Sequence, residues 1–86
     1  MDLGHLMTGT DGRVTSVNLD HGTRLRMSEL GLRPGVRVRV THRAAFGGRV
    51  LAIGTDRFAV DARTCGLIEV AAIDEAAEAH VTGVRG

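Results

Sequence analysis

The sequence predicts a small, mainly β domain in which five short strands curl into a closed barrel, with one short helix between the first and second strands. Three observations predict it. Glycine and turn signals punctuate the chain at Asp11-Gly12, His21-Gly22, Gly31, Pro34-Gly35, Gly47-Gly48, Gly54 and Gly66. Most lie roughly 8–15 residues apart, the rhythm of short strands. Residues 36–42 read Val-Arg-Val-Arg-Val-Thr-His, the period-two alternation of a strand with one buried face. The length, 86 residues, holds one core and is too short for two.

The first strand is expected over residues 12–19. Val14, Val17 and Leu19 break strict alternation, which predicts a bulge near Ser16. A helix follows over residues 23–30. Leu25, Met27 and Leu30 are expected to share its core face, with Arg24, Arg26 and Glu29 outside. Gly31 stands where a helix-ending residue of positive φ belongs, and Leu32 supplies the apolar contact that accompanies such an ending. Pro34-Gly35 reads as a type II turn into the second strand. In that strand Val36, Val38 and Val40 face inward, and Arg37, Arg39 and Thr41 face outward. Residues 44–48 form a loop, residues 49–53 the third strand, and residues 54–56 a turn. Residues 57–61 form the fourth strand, with Phe58 and Val60 inside. Residues 62–66 read as a single helical turn and residues 67–70 as the fifth strand. A closed barrel of such strands removes exposed edges. The barrel is expected over residues 1–71. The remaining residues, 72–86, form a tail in which Ile73, Ala77, His80 and Val84 fall near helical spacing, a weak helix over about residues 73–81.

Composition narrows the function. Eleven basic and ten acidic residues give a net charge of +1, without the basic excess of a nucleic-acid binder. Every basic residue is arginine, which suits interfaces better than lysine but is equally the mark of a genomic composition bias. The single cysteine, Cys65, allows no internal disulfide and accords with a reducing compartment. Residues 1–7 lack the cationic start and long apolar run of a signal peptide, and no stretch is apolar enough to span a membrane. A cytoplasmic protein is expected.

The ordered set Arg24-Leu25-Arg26-Met27-Ser28-Glu29-Leu30-Gly31-Leu32-Arg33-Pro34-Gly35, followed by the strand from Val36 to Val40, resembles the signature of the FeoA family of bacterial ferrous iron transport. Ala45-Phe46-Gly47-Gly48, Phe58-Ala59-Val60 and Ile68-Glu69-Val70 fall in that family's order, so the likeness covers about residues 6–70. Met27 stands where the family more often has Leu, and the tail is longer. The resemblance implies an SH3-like barrel and an accessory role beside the membrane iron transporter FeoB, through direct contact with its cytosolic G-protein region. The same barrel occurs as the C-terminal domain of metal-dependent repressors, which makes a metal-sensing barrel one alternative. A self-assembling interaction module is the other.

The residues point to association rather than catalysis. A small barrel is filled by its own side chains and leaves little room for a substrate. His5, His21, His42 and His80 show no paired ligand spacing, and Cys65 has only Asp61 nearby in sequence. Neither a catalytic set, a bound cofactor nor a resident metal site is expected. Gly47-Gly48 lacks the spacing of a phosphate loop. Two aromatic residues, Phe46 and Phe58, are too few for base stacking. The candidate partner-binding residues are Phe46, an apolar side chain on a glycine-rich loop that reads equally as a lid on the barrel end, and the arginines Arg37, Arg39, Arg24 and Arg26, whose other reading is an ordinary solvated face.

Overall fold

The computed structural model describes residues 1–73. Five antiparallel strands form the body: β1 (Asp11–Val17), β2 (Arg37–Arg43), β3 (Arg49–Ile53), β4 (Asp56–Val60) and β5 (Ile68–Ala72). Helix α1 (His21–Glu29) joins β1 to β2, and a single turn of helix, α2 (Ala62–Gly66), joins β4 to β5. The expected tail helix lies outside the described residues.

The ladder runs β4-β3-β2-β1-β5. The bulge expected in β1 is present as a register shift between Val14 and Ser16, and a second falls between Val40 and His42 in β2. Each bends its strand and tightens the twist, which curls the sheet around its core. The ladder has two ends, β4 and β5, bridged by α2 rather than by hydrogen bonds between the strands. The N-terminal segment covers one of them. Met1 N donates to Val70 O, Val70 N donates to Met1 O, and Asp2 bridges Glu69, so β5 gains a short partner on its outer edge.

The core gathers the inward side of each strand: Val14 and Val17, Val38 and Val40, Leu51 and Ile53, Val60, Ile68 and Val70. Phe58 packs partly against it. Leu3 and Leu6, in a short 3-10 turn (Leu3–His5) and just after it, fill the end of the barrel beside α2 and Cys65, with Leu3 wholly buried. No sequence periodicity marks that plug. A 3-10 turn of three residues is too short to carry one.

Helix α1 shows how the chain starts and stops a helix by side-chain chemistry. Asp20 caps the N-terminus, accepting from Thr23 N at 3.0 Å and from the Thr23 hydroxyl at 2.7 Å. At the other end Gly31 takes φ 99°, Gly31 N donates to Ser28 O and Leu32 N to Met27 O. That pair of bonds is the Schellman ending, and the buried Leu32 is its apolar contact. The expected core face of α1 needs correction. Only Met27 packs against the core, whereas Leu25 and Leu30 are 55% and 48% exposed. At 3.6 residues per turn, Leu25 lies about 160° around the helix from Met27, so the two cannot share one face.

Candidate functional site

The outer face of the sheet carries a row of residues in register. Asp11 of β1 faces Arg39 of β2, Arg39 faces Ala52 of β3, and Ala52 faces Arg57 of β4. One step along, Arg13 faces Arg37. Strands lie about 4.8 Å apart, so Arg39 and Arg57 are held roughly 10 Å apart with only the short side chain of Ala52 between them. The result is an open trough of about 550 Å3, lined by Arg37, Arg39 and Arg57, with Asp11 at one end and the small side chain of Ala52 between the arginines.

Asp11 organises two of the three arginines of β2. Its carboxylate accepts from Arg37 Nε at 2.6 Å and from Arg39 Nε at 2.5 Å, while its own side chain is only 9% exposed. The hydrogen bond from Arg39, then that from Arg37, hold its carboxyl below the usual carboxylate range against the opposing effect of burial. The two arginines stay 41% and 52% exposed. They are fixed in place but still present charge to solvent. Sequence reasoning missed Asp11, because the pairing joins residues far apart in the chain.

Phe46 sits at the other end of β2, in the turn Ala45–Gly47. It is fully exposed and adopts φ 55°, ψ 36°, the left-handed region that a bulky side chain avoids. The turn is braced from behind. Arg49 donates to Gly47 O at 2.6 Å, to Gly48 O at 3.0 Å and to Gly4 O at 2.9 Å, tying the loop to the N-terminal segment. Gly48 is closely packed, for a Cβ there would stand 2.9 Å from Val60 O. The chain thus holds one aromatic ring out into water on a rigid loop.

Arg24 and Arg26 lie on α1, exposed beside Leu25 and Leu30. Helix α1 leaves β1 at the end where Arg13 faces Arg37. Arg37 and Arg39 are therefore brought together, whereas Phe46 and the helix arginines stand at opposite ends of β2.

The remaining candidates have structural employment. Cys65 is buried, its thiol donating weakly to Val60 O at 3.7 Å, and burial pushes its pKa up. Asp61 caps α2 through Thr64 N at 2.7 Å. His42 is exposed, its Nδ1 beside the Thr41 hydroxyl, and His5 pairs with Asp2 at 3.0 Å. Among the described residues no three His, Cys, Asp or Glu side chains gather into a ligand set. No helix there is long and apolar enough to cross a membrane.

Fold and surface together define a small SH3-like β domain that carries a row of arginines on its outer face. The FeoA domain family matches residues 1–72, and the chain belongs to that family. Solved structures agree. An iron uptake regulatory protein (FeoA) is 25% identical at a TM-score of 0.76, over 85% of this chain and 97% of that one. FeoA from Chlorobium tepidum is 25% identical at a TM-score of 0.80, over 86% of this chain and 71% of that one. FeoA from Stenotrophomonas maltophilia, solved with zinc and described as an SH3 domain protein, is 29% identical at 0.68, over 83% and 89%. The match to iron(II) transport protein A from Clostridium thermocellum spans 46% of that chain. A manganese-dependent transcriptional repressor shares the fold, at 21% identity and a TM-score of 0.72. No curated protein matches the chain.

Proposed function

We propose that this chain is a cytoplasmic accessory protein of ferrous iron uptake that acts by direct contact with the cytosolic G-protein region of the iron transporter FeoB. What carries the reading is the FeoA match over residues 1–72, nearly the whole described chain. The Stenotrophomonas maltophilia relative is described as a candidate activating factor of bacterial ferrous iron transport. The function is association, with no bond made or broken.

The contact runs the length of β2. Its seven residues span about 23 Å. A standard contact of roughly 800 Å2 per partner is close to 30 Å across and reaches from one end to the other. Phe46 is the apolar anchor, Arg37 and Arg39 the basic centre held by Asp11, and Arg24 and Arg26 the steering charges beside α1. The rigid loop under Phe46 means that little ordering entropy is lost on binding.

The test is uptake of radiolabelled ferrous iron by the native host, with this chain deleted and with Phe46→Ala restored in its place. Uptake that falls on deletion and stays low with Phe46→Ala at normal protein level supports the reading. Uptake indifferent to the deletion refutes it.

A further inference from the structure

The two ends of the sheet are treated differently. The outer edge of β5 is covered by Met1 and Asp2. The outer edge of β4 has no strand on it among the described residues. The turn that leads into β4 fixes which of its groups point outward. Gly54 and Thr55 form a two-residue hairpin loop between Ile53 and Asp56, with Gly54 at φ 58°. In such a hairpin the closing pair exchanges both hydrogen bonds, and bonded and non-bonded pairs then alternate along the ladder. Asp56, Phe58 and Val60 therefore bond inward to β3. Arg57 and Ala59 turn their N–H and C=O groups to the open edge, and both residues are exposed.

Charge selects what fits there. Arg57 makes no hydrogen bond or ion pair among the described residues, and Arg39 and Arg37 stand behind it across the trough. A strand laid on this edge would place one side chain opposite Arg57, with Cβ atoms about 5 Å apart, and its neighbours toward the half-buried ring of Phe58. A carboxylate at the first position and an apolar group at the next satisfy both. A second copy of this chain satisfies only the second: self-pairing about Phe58 sets the two Phe58 rings against each other, but it puts Ala59 rather than a carboxylate opposite Arg57 and leaves the two Arg57 side chains as diagonal neighbours on one face.

We propose that the open edge of β4 is a strand-addition site for an extended acidic segment of a partner protein, in which acidic and apolar residues alternate. Main-chain hydrogen bonds to Arg57 and Ala59 supply affinity, and the Arg57 charge supplies selectivity. The proposal does not rest on the transporter reading, since its occupant is defined by chemistry alone.

The probe is a capped, fluorescein-labelled octapeptide of alternating Glu and Val, titrated with the full chain at low salt and followed by anisotropy. A Lys–Val peptide and a Glu–Val peptide N-methylated on alternate residues are the controls. The expected result is saturable binding of the Glu–Val peptide alone, weakened at least about tenfold by Arg57→Glu and by Ala59→Pro. Proline at an outward-facing edge position removes the donor without breaking the ladder. If Ala59→Pro proves unfolded by circular dichroism, the N-methylated peptide against the native chain decides the same point. Three results overturn the proposal: no binding at millimolar concentration, equal binding of the N-methylated or Lys–Val peptide, or concentration-dependent dimerisation of the chain abolished by Arg57→Glu.

Discussion

Replacing Asp11 with Asn keeps the shape of the side chain and removes a carboxylate that accepts from both Arg37 and Arg39. Each arginine loses a charge-assisted bond, at 2.6 Å and 2.5 Å. Such a bond contributes about 1.5–3 kcal/mol when shielded and about 0.2–1 kcal/mol when open to water. Here the carboxylate is shielded and the guanidinium groups are about half open, so each bond contributes about 0.5–1 kcal/mol and the pair about 1–2 kcal/mol. For a domain of this size that lowers Tm by roughly 4–8 °C per kcal/mol. The sign with pH follows from the carboxyl's lowered pKa. Its folded value lies below the usual 3.8, so the stabilisation is complete above that value and is lost as pH falls through the folded one. Urea unfolding of the native chain and Asp11→Asn at neutral pH shows the full gap, and the same pair at about pH 3 or below shows a smaller one. A gap below about 0.3 kcal/mol at neutral pH, or one that does not shrink in acid, would refute the claim that Asp11 anchors the basic face.

Four further changes probe other parts of the account. Leu3→Ala empties the barrel end under a wholly buried side chain and lowers unfolding free energy by about 3 kcal/mol, read by denaturant titration. Phe46→Gly removes the one non-glycine residue at positive φ among the described residues and no core contact, so stability rises by up to about 1 kcal/mol while partner binding falls. Arg49→Lys cannot reproduce the forked bonds to Gly47, Gly48 and Gly4, and amide exchange in residues 45–48 should quicken with Tm changed little. The Cys65 thiol, buried and with its pKa raised, should react with a disulfide reagent only as fast as the chain opens, so labelling accelerates with denaturant in step with unfolding.

Much of the fold was legible because its signals are local. The Val-Arg alternation of β2, the Gly31 helix ending with Leu32 beneath it, the Pro34-Gly35 turn with Gly35 at φ 92°, and the bulge in β1 all depend on residues close together in sequence. The plug of Leu3 and Leu6 was not legible, because its partners are Cys65 and the far strands. The helix face was misread because three apolar residues within six positions fit a broad stripe, and only Met27 points at the barrel. In the candidate site, the outward placement of Arg37 and Arg39 followed from strand period, whereas loop chemistry left Phe46 open between an exposed anchor and a lid on the barrel, and the structure exposes it. The Asp11 clamp, the Arg49 brace and the outer edge of β4, bare among the described residues, arise from strand order and register, which no local pattern encodes.

The central claim is that this chain works by association, with Phe46 as its anchor. It is tested most directly by calorimetric titration of the full chain into the isolated cytosolic G-protein domain of the host's FeoB. The account predicts saturable binding that weakens with added salt and falls at least about tenfold with Phe46→Ala while the variant keeps its native Tm. No heat and no complex at concentrations that saturate comparable contacts, or binding untouched by Phe46→Ala, would contradict it.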